Sequence, residues 1–129
     1  MVAAMWVAGL AAGLLHVVVF FAESLWWTKP AVYKGFLLTA EQAENTRLLA
    51  FNQGVYNLML AAGTLGGLVL WAMDYETIGL TLIAFCCLSM VVAALALLGS
   101  APQLKRGAAA QAFPALVFLI LLALRLNGQ

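Results

Sequence analysis

The chain has 129 residues, of which 66% are hydrophobic and 9% are charged, and its formal net charge is +1. Soluble domains are about 45–50% apolar and about 25% charged, so this composition excludes an ordinary water-soluble fold. The chain lacks a basic block, so nothing in it indicates binding to nucleic acid. We therefore expect a lipid bilayer as its main partner.

The first predicted helix covers residues 2–27, and its apolar part is long enough to cross a bilayer. We expect it to be retained, since no Lys or Arg precedes the apolar run and no convincing small-residue cleavage site follows it. Projected at 100° per residue, His16 and Glu23 lie about 20° apart, and Trp27 lies on the same face. One face is thus predicted to carry both ionisable groups.

A long connection, residues 28–47, leads to the second predicted helix, residues 40–73. Pro30 is expected to end the first helix. Thr39 and Gln42 form a capping-box pattern, in which Thr39 starts the second helix and Gln42 reaches back. This helix enters the membrane near Leu48, so its first turns form a short capped extension.

Four polar side chains of the second helix fall within an arc of about 140°: Asn52, Gln53, Tyr56 and Asn57. Gly63 and Gly67 share this arc, and small residues at that spacing let helix backbones approach closely. We therefore expect the arc to face the interior of a bundle.

The third and fourth predicted helices cover residues 77–99 and 107–126. Cys86 and Cys87 are adjacent in the third helix, where neighbours are poorly placed to bridge, so they are expected to fill space. Gln111 adds a polar contact in the fourth helix, and Pro114 adds a kink whose freed carbonyls can accept hydrogen bonds. Because the last two connections are short, the sequence predicts an all-α membrane protein of four transmembrane helices, in an antiparallel up-down bundle that forms one domain.

Basic residues predict the orientation of this bundle, because cytoplasmic loops are enriched in Lys and Arg. Five of them lie in connections 28–47 and 100–106: Lys29, Lys34, Arg47, Lys105 and Arg106. The other side carries Arg125 with Asp74 and Glu76. We expect both connections in the cytoplasm, both termini outside, and insertion in an inner or plasma membrane, with Glu23 in the cytoplasmic half.

Glu23 and His16 are the candidate catalytic groups, because ionisable residues within membrane helices are costly and are usually functional. The alternative for Glu23 is a position at the interface, solvated or paired with Lys29. His16 lies about 10 Å deeper. Its alternative is a core residue that donates one hydrogen bond. Six further side chains are candidate ligand contacts, with interhelical packing as the alternative: Asn52, Gln53, Tyr56, Asn57, Trp27 and Gln111. No metal-ligand spacing and no sign of a cofactor appear.

The segment from Phe51 to Gly63, preceded by a helix with His16, Glu23 and Trp26 or Trp27, resembles the domain-of-unknown-function family 1304. That family consists of small four-helix membrane proteins. Residues 111–115 are similar to its Gln-Gly-x-Pro-Ala element, with Ala112 in place of glycine. The resemblance implies the fold and the polar site, and it implies no activity.

Three functions are compatible with these patterns. The first is an acid-base enzyme, of the isomerase, cyclase or lyase type, that acts on a lipophilic small molecule. The second is a proton-coupled exporter similar to small multidrug transporters, which share four helices and a Glu in helix one. The third is a membrane binding or assembly subunit, and a homodimer is open because the helices are rich in Gly and Ala.

Overall fold

A computed structural model describes residues 1–128, in which all the regular secondary structure is helical. Four helical stretches are long and apolar enough to cross a membrane: Val2–Leu25, Ala40–Ala72, Glu76–Ser100 and Pro102–Asn127. The predicted all-α class and the four predicted spans are confirmed.

The elements follow one another along the chain in a simple order. Five α-helices are present in the described residues: α1 Val2–Phe20, α2 Pro30–Tyr33, α3 Ala40–Ala72, α4 Glu76–Ser100 and α5 Lys105–Asn127. A π-helical turn, Phe21–Leu25, continues α1, and a 3-10 turn, Pro102–Leu104, precedes α5. The first helix therefore changes its hydrogen-bonding pattern before its predicted end at residue 27.

Both ends of α3 are closed by local hydrogen bonds. The Gln42 N–H donates to Thr39 Oγ1 at 3.2 Å, and the Thr39 N–H donates to Gln42 Oε1 at 2.8 Å, which confirms the predicted capping box. At the other end, the Tyr75 N–H donates to the Leu70 carbonyl at 3.0 Å while Asp74 takes a left-handed φ of 66°. Asp tolerates that conformation better than most residues, so α3 can stop sharply before α4.

The four long helices pack in a ring, in which α3 contacts α1 and α4, and α5 contacts α4 and α1. The core contains large buried side chains from each of them, including Met5, Leu68, Ile83, Met90 and Phe118. This ring leaves each long helix with one face toward the outside, where exposed apolar side chains are numerous.

Aromatic and charged side chains connect all four long helices at the end where α1 begins. Trp6 stacks on Trp71 with ring centroids 5.1 Å apart and an interplanar angle of 18°. Arg125 Nη2 donates to Glu76 Oε1 at 2.6 Å, and its guanidinium carbon lies 5.6 Å from the centre of the Trp71 ring. Since these residues lie on α1, α3, α4 and α5, the cluster holds the ring together at this end.

A close backbone approach joins α3 to α4 at two glycines. A Cβ added at Gly79 would lie 2.5 Å from the Gly67 carbonyl oxygen and 2.8 Å from the Trp71 nitrogen. Any larger residue would push the helices apart, because both contacting atoms belong to the backbone. Gly67 thus allows the close approach that its spacing predicted, and Gly79 is its partner.

We predict that Gly79→Ala lowers the stability of the bundle by about 1–3 kcal/mol, since the new methyl group forces a shift of the backbone. Thermal unfolding in detergent, followed by circular dichroism, measures this loss. Gly66→Ala is the matched control, because no atom lies within 4 Å of a Cβ at that position. Equal midpoints for the two variants would contradict the close approach.

Candidate functional site

A change from α-helical to π-helical hydrogen bonding occurs at the candidate site, in the turn Phe21–Leu25. The Trp26 N–H donates to the Phe21 carbonyl, five residues back, at 2.9 Å. Single π turns are rare in proteins and occur frequently at functional sites. Because the π turn holds more residues per turn, the 100° projection does not apply beyond Phe20. His16 and Glu23 therefore need not share a face.

Glu23 lies in this π turn and is joined to α3 by a short hydrogen bond. Asn57 Nδ2 donates to Glu23 Oε2 at 2.8 Å and to the Gln53 carbonyl at 3.1 Å. This length is within the usual range of an N–H···O hydrogen bond. Among the described residues the salt bridges do not include Lys29 and Glu23, and the Lys29 Nζ lies 5.0 Å from the centre of the Trp26 ring. The partner of Glu23 is thus the amide predicted from the second helix.

Two further hydrogen bonds join the same stretch of chain to α3. Ser24 Oγ donates to the Phe51 carbonyl at 3.1 Å, and it sits so close to Gly54 that a Cβ there would collide with it. Trp27 Nε1 donates to Thr46 Oγ1 at 3.1 Å, and that hydroxyl donates to the Gln42 carbonyl at 2.8 Å. Sequence reasoning missed both Ser24 and Thr46.

The buried face of α3 explains which of its polar side chains reach the π turn and Trp27. Small buried residues recur at helical spacing along that face: Ala43, Ala50, Gly54, Ala61 and Thr64. Thr46 and Asn57 fall on the same stripe, three residues from a member of it. This run of small residues was the signal that could have identified Thr46 and the position of Ser24 against Gly54.

The inward direction predicted for the whole arc is wrong for three of its four polar members, because Asn52, Gln53 and Tyr56 are all exposed. The side chain of Tyr56 is 70% exposed, and Asn52 is also exposed on the outside of the bundle. Neighbouring residues on a helix point about 100° apart, so a face centred on Asn57 and Gly54 excludes Tyr56 and Asn52. The roles of both as ligand contacts stay predictions, and they would act away from Glu23.

A groove of about 290 Å³ opens between the π turn, the connection and α3. Its lining combines one carboxylate with amide, hydroxyl, indole and aliphatic groups: Glu23, Trp27, Leu38, Thr46, Leu49, Ala50 and Gln53. Within residues 1–128, Glu23 Oε1 accepts no hydrogen bond, while Oε2 is held by Asn57. The arrangement leaves one carboxylate oxygen to interact with a molecule in the groove.

His16 is separate from this groove. Its side chain is 1% exposed, and its Nδ1 donates to the Ala12 carbonyl of the preceding turn at 2.9 Å. No hydrogen bond joins His16 to Glu23 in the described part of the chain. This geometry is that of a core histidine with one intrahelical bond.

Gln111 is also placed apart from Glu23. It is half-buried and lines a cavity of about 770 Å³ on the other side of α1, together with Ala22 and residues of α5. Among residues 1–128, no group of three His, Cys, Asp or Glu side chains could hold a metal ion. Cys86 and Cys87 are buried as free thiols.

Four long apolar helices packed in a ring define a multi-pass helical membrane protein. The chain belongs to the family of proteins of unknown function DUF1304, whose model matches residues 9–123. The match includes Glu23, Asn57 and most of the four long helices, and it confirms the resemblance seen in the sequence. No curated protein and no solved structure matches the chain.

We predict that Asn57→Ala destabilises the protein by about 1–3 kcal/mol, because the Glu23 carboxylate loses its donor within the bundle. A double-mutant cycle with Glu23→Ala should give a coupling energy of roughly 0.5–2 kcal/mol. Denaturation in mixed detergent micelles measures all four corners of the cycle. Asn52→Ala serves as control, since it is exposed, and its cycle with Glu23→Ala should be additive. Additivity for Asn57 would contradict the bond.

Proposed function

We propose that this protein is a membrane-embedded acid-base enzyme that isomerises a lipophilic small molecule in the Glu23 groove. The observation that carries the proposal is the position of the Glu23 carboxylate. One oxygen is fixed by Asn57, and the residue lines a groove with the Trp27 indole. A general base needs this combination of a fixed position and an accessible oxygen.

The proposed topology is an antiparallel up-down bundle in an inner or plasma membrane. The stack of Trp6 on Trp71 supports it, since the start of α1 meets the end of α3. The bond from Arg125 to Glu76 supports it in the same way for α5 and α4. With connections 28–47 and 100–106 in the cytoplasm and both termini outside, the Glu23 groove lies in the cytoplasmic half.

The proposed reaction is a proton shift carried out by a single carboxylate. Glu23 takes a proton from the α-carbon of a β,γ-unsaturated carbonyl compound, and the electrons of that C–H bond move into the carbonyl system to form a dienolate. The carboxylic acid then returns the proton to the far carbon, so the double bond moves, a new C–H bond forms and the carboxylate is restored. No oxidant, reductant or cofactor takes part.

The remaining groove residues serve binding and orientation in this proposal. The Gln53 amide can donate to the substrate oxygen as charge develops on it. Leu49 and the Trp27 ring provide apolar walls for the rest of the molecule. Because His16 lies outside the groove, Glu23 has to act both as base and as acid.

A non-catalytic assembly role is the second candidate, and a specific observation favours it. The hydrogen bonds from Asn57 to Glu23, from Ser24 to Phe51 and from Trp27 to Thr46 all join the first helical span to α3. Such bonds stabilise membrane bundles by about 0.6 kcal/mol each on average, whether or not the protein has an activity.

We predict that cells carrying the chain contain a pair of lipophilic isomers whose ratio depends on Glu23. Liquid chromatography with mass spectrometry of lipid extracts measures the ratio. Glu23→Gln should reduce the conversion about 10²–10⁴-fold, because the base is removed while the shape is kept. Glu44→Gln is the control, since Glu44 is exposed and pairs with Arg47.

The assembly role and the exporter each predict a different result for the Glu23→Gln variant. If no isomer pair depends on Glu23, and Glu23→Gln only lowers the unfolding midpoint, the assembly role replaces the enzyme. If purified protein in proteoliposomes instead shows proton-coupled flux that Glu23→Gln abolishes, the exporter replaces it.

A further inference from the structure

Two cavities follow each other along the seam between α1 and α5. One has a volume of about 680 Å³ and the other about 770 Å³, and both are lined by Leu15 and Ala110. They therefore meet at these residues and form one long depression, called here the α1/α5 groove. It is distinct from the Glu23 groove, since the two share no lining residue.

The first part of the α1/α5 groove is apolar because of the residues on the facing sides of the two helices. Ala4, Ala8 and Ala11 recur at helical spacing on α1, and their methyl groups are too small to fill the seam. On α5 the wall is formed by Phe113 and Val117. An alkyl chain is the kind of molecule that fits such a surface.

The second part carries positive charge. Lys34 and Arg106 line it together with the amides of Gln103 and Gln111, and no carboxylate is among its lining residues. Neither cation forms a salt bridge within residues 1–128, where the ion pairs involve Arg47 and Arg125. This end of the groove therefore offers uncompensated positive charge to an anion.

The distance between the charged end and the apolar end matches one leaflet of a bilayer. Arg106 and Val117 are eleven residues apart on α5, which corresponds to about 16 Å at 1.5 Å per residue. Half of a hydrocarbon core of about 30 Å is about 15 Å. A molecule with its head group at Arg106 would thus end its chain near the bilayer midplane, beside Val117.

We propose that the α1/α5 groove is a binding site for a phospholipid with an anionic head group. The phosphate lies between Lys34 and Arg106, and one acyl chain follows the alanines of α1. Phosphatidylglycerol is a phospholipid of this kind.

The test compares lipids that remain bound to the protein after reconstitution into vesicles of equal parts phosphatidylglycerol and phosphatidylcholine. Native mass spectrometry of the released protein counts each lipid. The wild-type protein should retain phosphatidylglycerol in preference to phosphatidylcholine. The variant Lys34→Gln/Arg106→Gln should lose that preference by about five-fold for each charge removed.

The control variant Lys29→Gln/Lys105→Gln removes the same charge from neighbouring positions that do not line the groove, so it should keep the preference. Ala110→Trp fills the point where the two cavities meet, and it should reduce the retention of both lipids. The proposal is overturned if wild type shows no preference, if the control loses as much as the groove variant, or if Ala110→Trp retains both lipids unchanged.

Discussion

The hydrogen bond between Asn57 and Glu23 is the constraint on which the arrangement of the first span depends. A carboxylate within a membrane bundle must be hydrogen-bonded, because desolvation without a partner is costly. The Asn57 amide lies on the buried face of α3, so the chain has to bring Glu23 to that face. The π turn Phe21–Leu25 does so, and Ser24 and Trp27 then form their own bonds to α3.

As a consequence, the first span, which consists of α1 and the π turn, has two sides with different properties. One side, through Glu23, presents a carboxylate in a small groove. The other side, through Ala22 and Leu15, borders a larger depression that is apolar in one part and basic in the other. A proton-transfer site and a lipid site can therefore coexist on one helix without sharing a side chain. His16 belongs to neither, since it is buried against its own preceding turn.

Local patterns predicted much of the fold, while tertiary contacts decided the details of the site. Hydropathy and the Thr39 cap depend on residues adjacent in sequence, so the spans and the start of α3 followed from the sequence. The π turn, the outward direction of Tyr56 and the approach of Gly79 to Gly67 depend on how helices pack, which no single segment encodes. A hydrogen bond from an amide of the second helix to Glu23 was predictable, because Asn57 lies at the same depth in the bundle.

The most direct test of a fixed and accessible Glu23 is its reaction with dicyclohexylcarbodiimide, an apolar reagent that adds to protonated carboxyl groups. Protein in vesicles is treated over a range of pH, and the modified residues are located by peptide mass spectrometry. The account predicts that Glu23 is modified, and that Gln53→Trp, which fills the groove, protects it. If Glu23 stays unmodified in folded protein at every pH, yet reacts once the protein is unfolded, the groove does not expose its carboxyl group and the account is wrong.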